Sequence, residues 1–322
     1  GTDAGGNTID SNGHTLIGYD AGGNGDIASD YITAVGYSSL ASLTTGAENT
    51  AIGYNAGLAL TTSRSNTILG YSAMHRATTA SDYNTAIGCQ SMFGNFTTAD
   101  VNYCVAVGAV TLQGTLTSAA SGTTAIGYAS LANNTSGAGN TAVGYQTGGS
   151  ITSGSYSTFI GHNAGLVHST GGYNTVIGYG AMDDTNAGSS SLGSLENVFI
   201  GVDSGGGTWA DAASNNNVAI GNYSMDAVLD GANDNVAVGK HSLGALTSGD
   251  ENVAIGATSG DTITTGTKNT IVGYNTDVSD VGAINRTGLG SGIVLGANNS
   301  VVLGNNDVTA VYMAQDSGAV VH

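Results

Sequence analysis

The chain has 322 residues, 53 of them Gly, no Pro, 9% charged side chains and a formal net charge of −18. Its basic residues number five (Arg64, Arg76, Lys240, Lys268 and Arg286) and cannot neutralise a row of phosphates, which argues against nucleic-acid binding and adhesion to anionic membranes. Few charges at near-zero mean hydropathy argue against disorder, Gly without a three-residue period excludes collagen, and no apolar run approaches the roughly 20 residues that span a bilayer.

Read from the start, GTDAGGNTID lacks the character of a signal peptide and is expected to be a cut into a longer chain. From Thr15 onward one phrase recurs: NTAIGYNAG from Asn49, NTAVGYQTG from Asn140, NTVIGYGAM from Asn174 and NVAIGNYSM from Asn217. Taking its Gly as an anchor, the phrase falls at Gly18, Gly36, Gly53, Gly70, Gly88, Gly108, Gly127, Gly144, Gly161, Gly178, Gly201, Gly221, Gly239, Gly256 and Gly273, and then at Gly296 and Gly304. Most intervals are 17 or 18 residues; 23-residue steps precede Gly201 and Gly296, and the last step is 8. A fixed period along a whole chain marks a solenoid.

Each unit has a grammar. One residue before the anchor stands Ile, Val or Leu, as in Ile52 and Ile87; three before stands Thr, Val or Ile; four before stands Asn in ten coils, including Asn49, Asn66, Asn84 and Asn140. Frequent Gly and β-branched residues at the periodic positions oppose helix. About 17 residues suit two short strands and two turns, so the expected fold is all-β, a parallel β-solenoid whose coils stack about 4.8 Å apart. The aliphatics one and three before the anchor are expected to face inward. The small residues two before it should lie on a second face, either solvated or an interface. Asn should bond turn backbone and stack as a ladder. Missing Pro fits a ladder that needs every backbone donor. The repeat anchors are therefore Gly53, Gly70, Gly88, Gly144, Gly161 and Gly178 with their Asn and Ile columns.

Candidate contacts lie where coils lengthen, since loops carry binding. Gln90–Asn102 carries Phe93 and Phe96; Asp183–Ser194 begins with Asp183 and Asp184; Asp203–Asn216 carries the sole Trp, Trp209; Thr276–Gly290 carries Arg286. Trp209 could touch a receptor or cap a local apolar patch. Tyr follows the anchor eight times, including Tyr54 and Tyr71. That stripe could stack on sugar faces or serve as an aromatic ladder covering a seam.

Catalysis is not expected. The three Glu (Glu48, Glu196, Glu251) share one turn column with Asp234 and Lys268, which reads as a solvated edge rather than a paired-acid site. His spacing supports no metal site and nothing implies a cofactor. Cys89 falls in the Tyr column and Cys104 in the Asn column, too far apart for a bridge. Thr pairs at Thr44, Thr61, Thr78, Thr97 and Thr264 raise ice binding as an alternative.

The NTAIGY grammar over Thr15–Gly304 resembles the repeats of trimeric β-roll fibres, namely distal fibres of tailed bacteriophages and heads of trimeric autotransporter adhesins. The stretch GIVLGANNSVVLGNNDVTAVYMAQDSGAVVH resembles the end of phage fibre shafts, where a self-cleaving intramolecular chaperone often follows. The resemblance implies a left-handed homotrimeric roll over 1–290, a C-terminal β segment over 291–322 that closes the trimer, and a virion-surface or extracellular location. The expected function is a structural, receptor-recognition tail fibre that attaches to a host glycan or protein receptor, with other fibre or virion proteins on its N-terminal side. The alternative is a cellular surface adhesin or extracellular filament.

Overall fold

A computed structural model describes residues 7–8, 12–23, 26–28, 30–78, 80–96, 100–185 and 191–311. Among them, seventeen short parallel strands form one continuous ladder that starts at Thr15–Ile17 and ends at Ser300–Leu303. Thr15–Ile17 pairs with Thr33–Val35, that strand with Thr50–Ile52, and so on, each strand bonded to its counterpart one coil away. Sixteen steps of about 4.8 Å give a ladder about 77 Å long. The stacking expected of Ile52, Leu69 and Ile87 is present: Ile52 is in register with Leu69, and Leu69 with Ile87.

One anchor moves. After Gly273 the next coil turns at Gly290, not Gly296. Arg286–Leu289 pairs with Thr270–Val272 in the register Thr270–Thr287 and Val272–Leu289. Gly290 has φ +140, inside the +126 to +146 range of the fifteen anchors from Gly18 to Gly273. Its RTGLG mimics the phrase less well than GIVLG, yet it sits 17 residues after Gly273; the following coil, to Gly304, is a shorter 14. Thr276–Gly290 is thus a regular coil rather than an insertion.

Every anchor must be Gly for two reasons. The backbone there has a φ that L-residues avoid. There is also no room: a Cβ on Gly53 would stand 2.5 Å from the Gly70 carbonyl oxygen of the next coil. The residue five before the anchor is left-handed too, with φ of 60° at Glu48, 60° at Tyr83 and 61° at Lys268. Such a conformation costs about 1 kcal/mol at a non-Gly residue. It is held because the amide then donates to the neighbouring coil, as Glu48 does to the Asp30 carbonyl at 3.0 Å and Ser65 to that of Ala47 at 3.0 Å.

The inside and outside of the strand are reversed from the sequence expectation. The small column two before the anchor (Ala51, Ala86, Ala142) is fully buried, whereas Ile52 is 38% and Leu69 43% exposed. The interior is narrow, so Ala fills it beside Leu40, Met74, Met92, Leu112, Leu131 and Leu243 from the far side of the coil. Where the strand residue is Phe, the facing position becomes Gly: a Cβ on Gly205 would come within 2.6 Å of the Phe199 ring. Leu43, Leu60, Ile151 and Ile263, seven after their anchors, complete the core.

The Asn column is the polar spine of this core. All ten are buried. Asn66 donates its side-chain amide to Asn49 Oδ1 at 3.0 Å and to the Ser81 carbonyl at 2.8 Å, while Asn49 Oδ1 also accepts the Asn66 backbone amide at 3.1 Å. Each carboxamide thus satisfies strand-entry backbone of its own coil and the next, groups that would otherwise be orphaned at substantial cost. Cys104 takes the Asn position in its coil, and Asn84 Oδ1 accepts its backbone amide at 2.9 Å.

Candidate assembly interface

From five before to one after the anchor the chain alternates with period two. Positions four and two before point into the core; positions five, three and one before, and one after, form the outer face. Three before stand Thr or Val, one before Ile, Val or Leu, coil after coil from Thr15 to Leu303. Neither column contains a charge. The four columns, about 20 Å across and about 77 Å long, make a face on the order of 1,500 Å², of which the two uncharged central columns are about half. Single soluble chains seldom expose apolar patches beyond a few hundred Å².

The rims of this face are aromatic. After the anchor, Tyr19, Tyr37, Tyr54 and Tyr71 stack in series, with centroids 5.2 to 5.3 Å apart. A second series runs Tyr128, Tyr145, His162, Tyr179. Sequence reading missed the opposite rim. Tyr83 stacks on Tyr103 at 5.3 Å and Tyr156 on Tyr173 at 5.4 Å. With Tyr31 these lie five before their anchors, in the column already marked by Glu48, Glu196 and Glu251, so the same offset would have found them. Tyr54 and Tyr71 are exposed as expected, but their planes lie 7° apart face to face. Within the stack the faces cover one another, leaving mainly edges and hydroxyls to solvent.

The other candidate contacts do not gather into a site. Trp209 is buried, not exposed: its Nε1 donates to the Gly205 carbonyl at 2.9 Å, and its ring stands edge-on to Phe199 at 5.7 Å. Phe96 is buried as well. Both stand eight after their anchors, in lengthened coils where the core position has slipped by one from that of Leu43 and Leu60. Added residues in these coils brought core with them. Phe93 is half-buried beneath the Arg76 guanidinium, 4.6 Å above its ring. Arg286 is only 3% exposed and cannot be a surface contact. It takes the Asn place in the Gly290 coil and ends that spine, donating its backbone amide to Asn269 Oδ1 and its guanidinium to the Leu295 carbonyl, Asn298 and the Asp280 carboxylate.

Asp183 and Asp184 are half-buried; they belong to the Gly178 coil, five coils and about 24 Å from Phe93. Burial, then the Asp203 and Asp184 charges, raise Asp183 to about 6. Burial, then the hydrogen bond that protonated Asp261 donates to Asp277, raise Asp261 to about 6 as well. Among the described residues no group of three or more His, Cys, Asp or Glu is arranged to hold a metal ion, and no helix is long and apolar enough to cross a membrane. Two recesses of about 260 and 200 Å³ have neither carboxylate nor His in their linings. Cys89 is exposed, Cys104 buried, and both thiols are free. Thr44 and Thr61 donate their hydroxyls to carbonyls of the next coil, both at 2.9 Å, so they are not a free array for ordering water; Thr97 and the stretch 312–322 lie outside the described residues. Comparison with protein-family models and with curated proteins gives no match to this chain.

Proposed function

We propose that the chain is a structural, receptor-recognition fibre segment, a left-handed roll that assembles as a homotrimer on an outer face with an uncharged centre and is displayed on a virion as part of a phage tail fibre. The observation that carries the assembly is the unbroken aliphatic face. With its two rims that face, on the order of 1,500 Å², exceeds the roughly 800 Å² that one partner contributes to a standard interface. A partner that covers it must repeat at the same pitch over the same length, and another copy of the chain does so. The left-handed sense, the threefold and the viral setting follow the resemblance to β-roll fibres. Attachment to a host glycan or protein receptor follows from the same likeness, with exposed Tyr edges and coil corners as contact surface. Three chains carry a formal charge of 3 × −18 = −54, which keeps such rods apart from one another at low salt.

Light scattering on a size-exclusion column tests the assembly. A 31.6 kDa chain should elute as a species three times that mass, and the face variant Ile160→Lys with Ile220→Lys should shift it toward monomer. A monomeric unaltered chain overturns the proposal. Attachment is tested separately, by binding of the fluorescently labelled assembly to bacterial cells with and without their surface polysaccharide.

A further inference from the structure

Resting on that assembly, we infer that its subunits are held in a single register by pairing the two rims of the outer face across each seam, coil for coil. The residue one after an anchor meets, on the next subunit, the residue five before the anchor of the same coil. Within one subunit these rims lie on opposite edges of the face, so they cannot meet each other. In a closed ring each seam is head-to-tail, joining one rim to the other, and closure requires equal heights.

The two rims are complementary in volume. Where the Tyr series after the anchor breaks, at Cys89 and Ala109, the other rim supplies Tyr83 and Tyr103, 47% and 64% exposed and stacked on each other. Where the series resumes, at Tyr128 and Tyr145, the other rim has Gly122 and Gly139. They are complementary in charge also. The single cation of the first rim, Lys240, lies in the coil whose other rim is Asp234; both are exposed. The single cation of the second rim, Lys268, lies in the coil of Tyr274, whose ring face can take an ammonium. Three coils carry rings on both rims (Tyr31 with Tyr37, Tyr156 with His162, Tyr173 with Tyr179), an aromatic pairing of the kind found across strands. A slip of one coil spoils the fit. In one direction Ala109 meets Gly122, leaving a hole, and Lys268 meets Ala257 in place of a ring, although Lys240 then meets Glu251; in the other Cys89 meets Ser65 and Lys240 meets Asn216. The rims thus favour the in-register, closed ring over a slipped, open packing that the uniform centre alone would tolerate.

Resident Cys89 supplies the test. Tyr83→Cys is oxidised with copper phenanthroline and run on a non-reducing gel, beside Ser65→Cys and Tyr103→Cys, which place the thiol one coil off on either side. The expected result is a covalent trimer from Tyr83→Cys at least tenfold more abundant than from either neighbour. Equal or greater linking by a neighbour, or no link from Tyr83→Cys while scattering still gives a trimer, overturns the register and leaves the assembly standing. A monomer by scattering overturns both. Charge reversal gives a second, independent reading that spares Tyr83. Lys240→Glu and Asp234→Lys alone should each weaken assembly about tenfold at low salt, and together restore it; Lys is accommodated at this left-handed position, as Lys268 shows. Failure of the double variant to restore assembly also overturns the register.

Discussion

Replacing Asn235 by Ala tests the polar spine where it is most regular. In the structure its side-chain amide donates to Asn217 Oδ1 at 3.0 Å, to the Asn233 carbonyl at 2.9 Å and to the Gly249 carbonyl at 2.8 Å. Its Oδ1 accepts the Asn252 backbone amide at 3.0 Å and the Asn252 side chain at 3.0 Å. Asn217 Oδ1 keeps the backbone amide of residue 235 at 3.1 Å, and the Asn252 side chain keeps the Gly266 carbonyl at 2.8 Å. The groups that lose this support are the Asn252 amide and the Gly249 carbonyl. At about 1–3 kcal/mol for each buried group left unpaired, the loss should be about 4 kcal/mol. Trp209, the sole Trp, is buried and reports unfolding by fluorescence. Urea titration at one fixed chain concentration then gives the difference, because an assembly's stability depends on concentration. Exposed Ser42→Ala is the control and should move stability by less than about 0.5 kcal/mol. A loss under about 1 kcal/mol for Asn235→Ala would show that water replaces the carboxamide and that the spine does not carry the strand entry.

Other outcomes follow from the same geometry. Gly53→Ala forces a Cβ against the Gly70 carbonyl at φ +138 and should cost at least about 3 kcal/mol or prevent folding, seen as a lowered urea midpoint or loss of soluble chain. Val110, β-branched at φ +52, should be replaced by Gly with a gain of about 1 kcal/mol, read as a raised melting temperature; a loss would mean that its packing outweighs its backbone strain. Burial holds His168 neutral down to about pH 4, whereas an unfolded imidazole gains its proton near 6.5. Below 6.5 the unfolded chain binds more protons, so stability falls as pH drops to about 4, by about 3 kcal/mol from this ring. Asp183 and Asp261 act oppositely. Their folded values near 6 mean that the folded chain binds more protons between about 4 and 6, and stability rises as pH falls through that window. His168→Leu removes the first effect, so its urea midpoint at pH 4.5 relative to pH 7 should exceed that of the unaltered chain; an identical pH dependence would show that the ring is solvated.

The sequence by itself determined the period, the stacking of like on like and the Asn spine, because each depends on local spacing and on backbone groups that every coil must satisfy alike. Ile52 above Leu69 and Asn49 above Asn66 follow from the repeat alone. It also determined that Cys104 stands in for Asn. Only the tertiary structure decided which face of the strand is inside. Alternation yields two faces, and bulk is a poor guide when the enclosed space is narrow: Ala51 fits within, and Ile52 is left outside. The same closure took Trp209, Phe96 and Arg286 into the interior, since a coil lengthened at its corner slides its core position by one and a spine that ends needs a cap. The anchor at Gly290 was hidden because strand pairing reads height along the stack, and height depends on residues per coil rather than on how closely a phrase is copied.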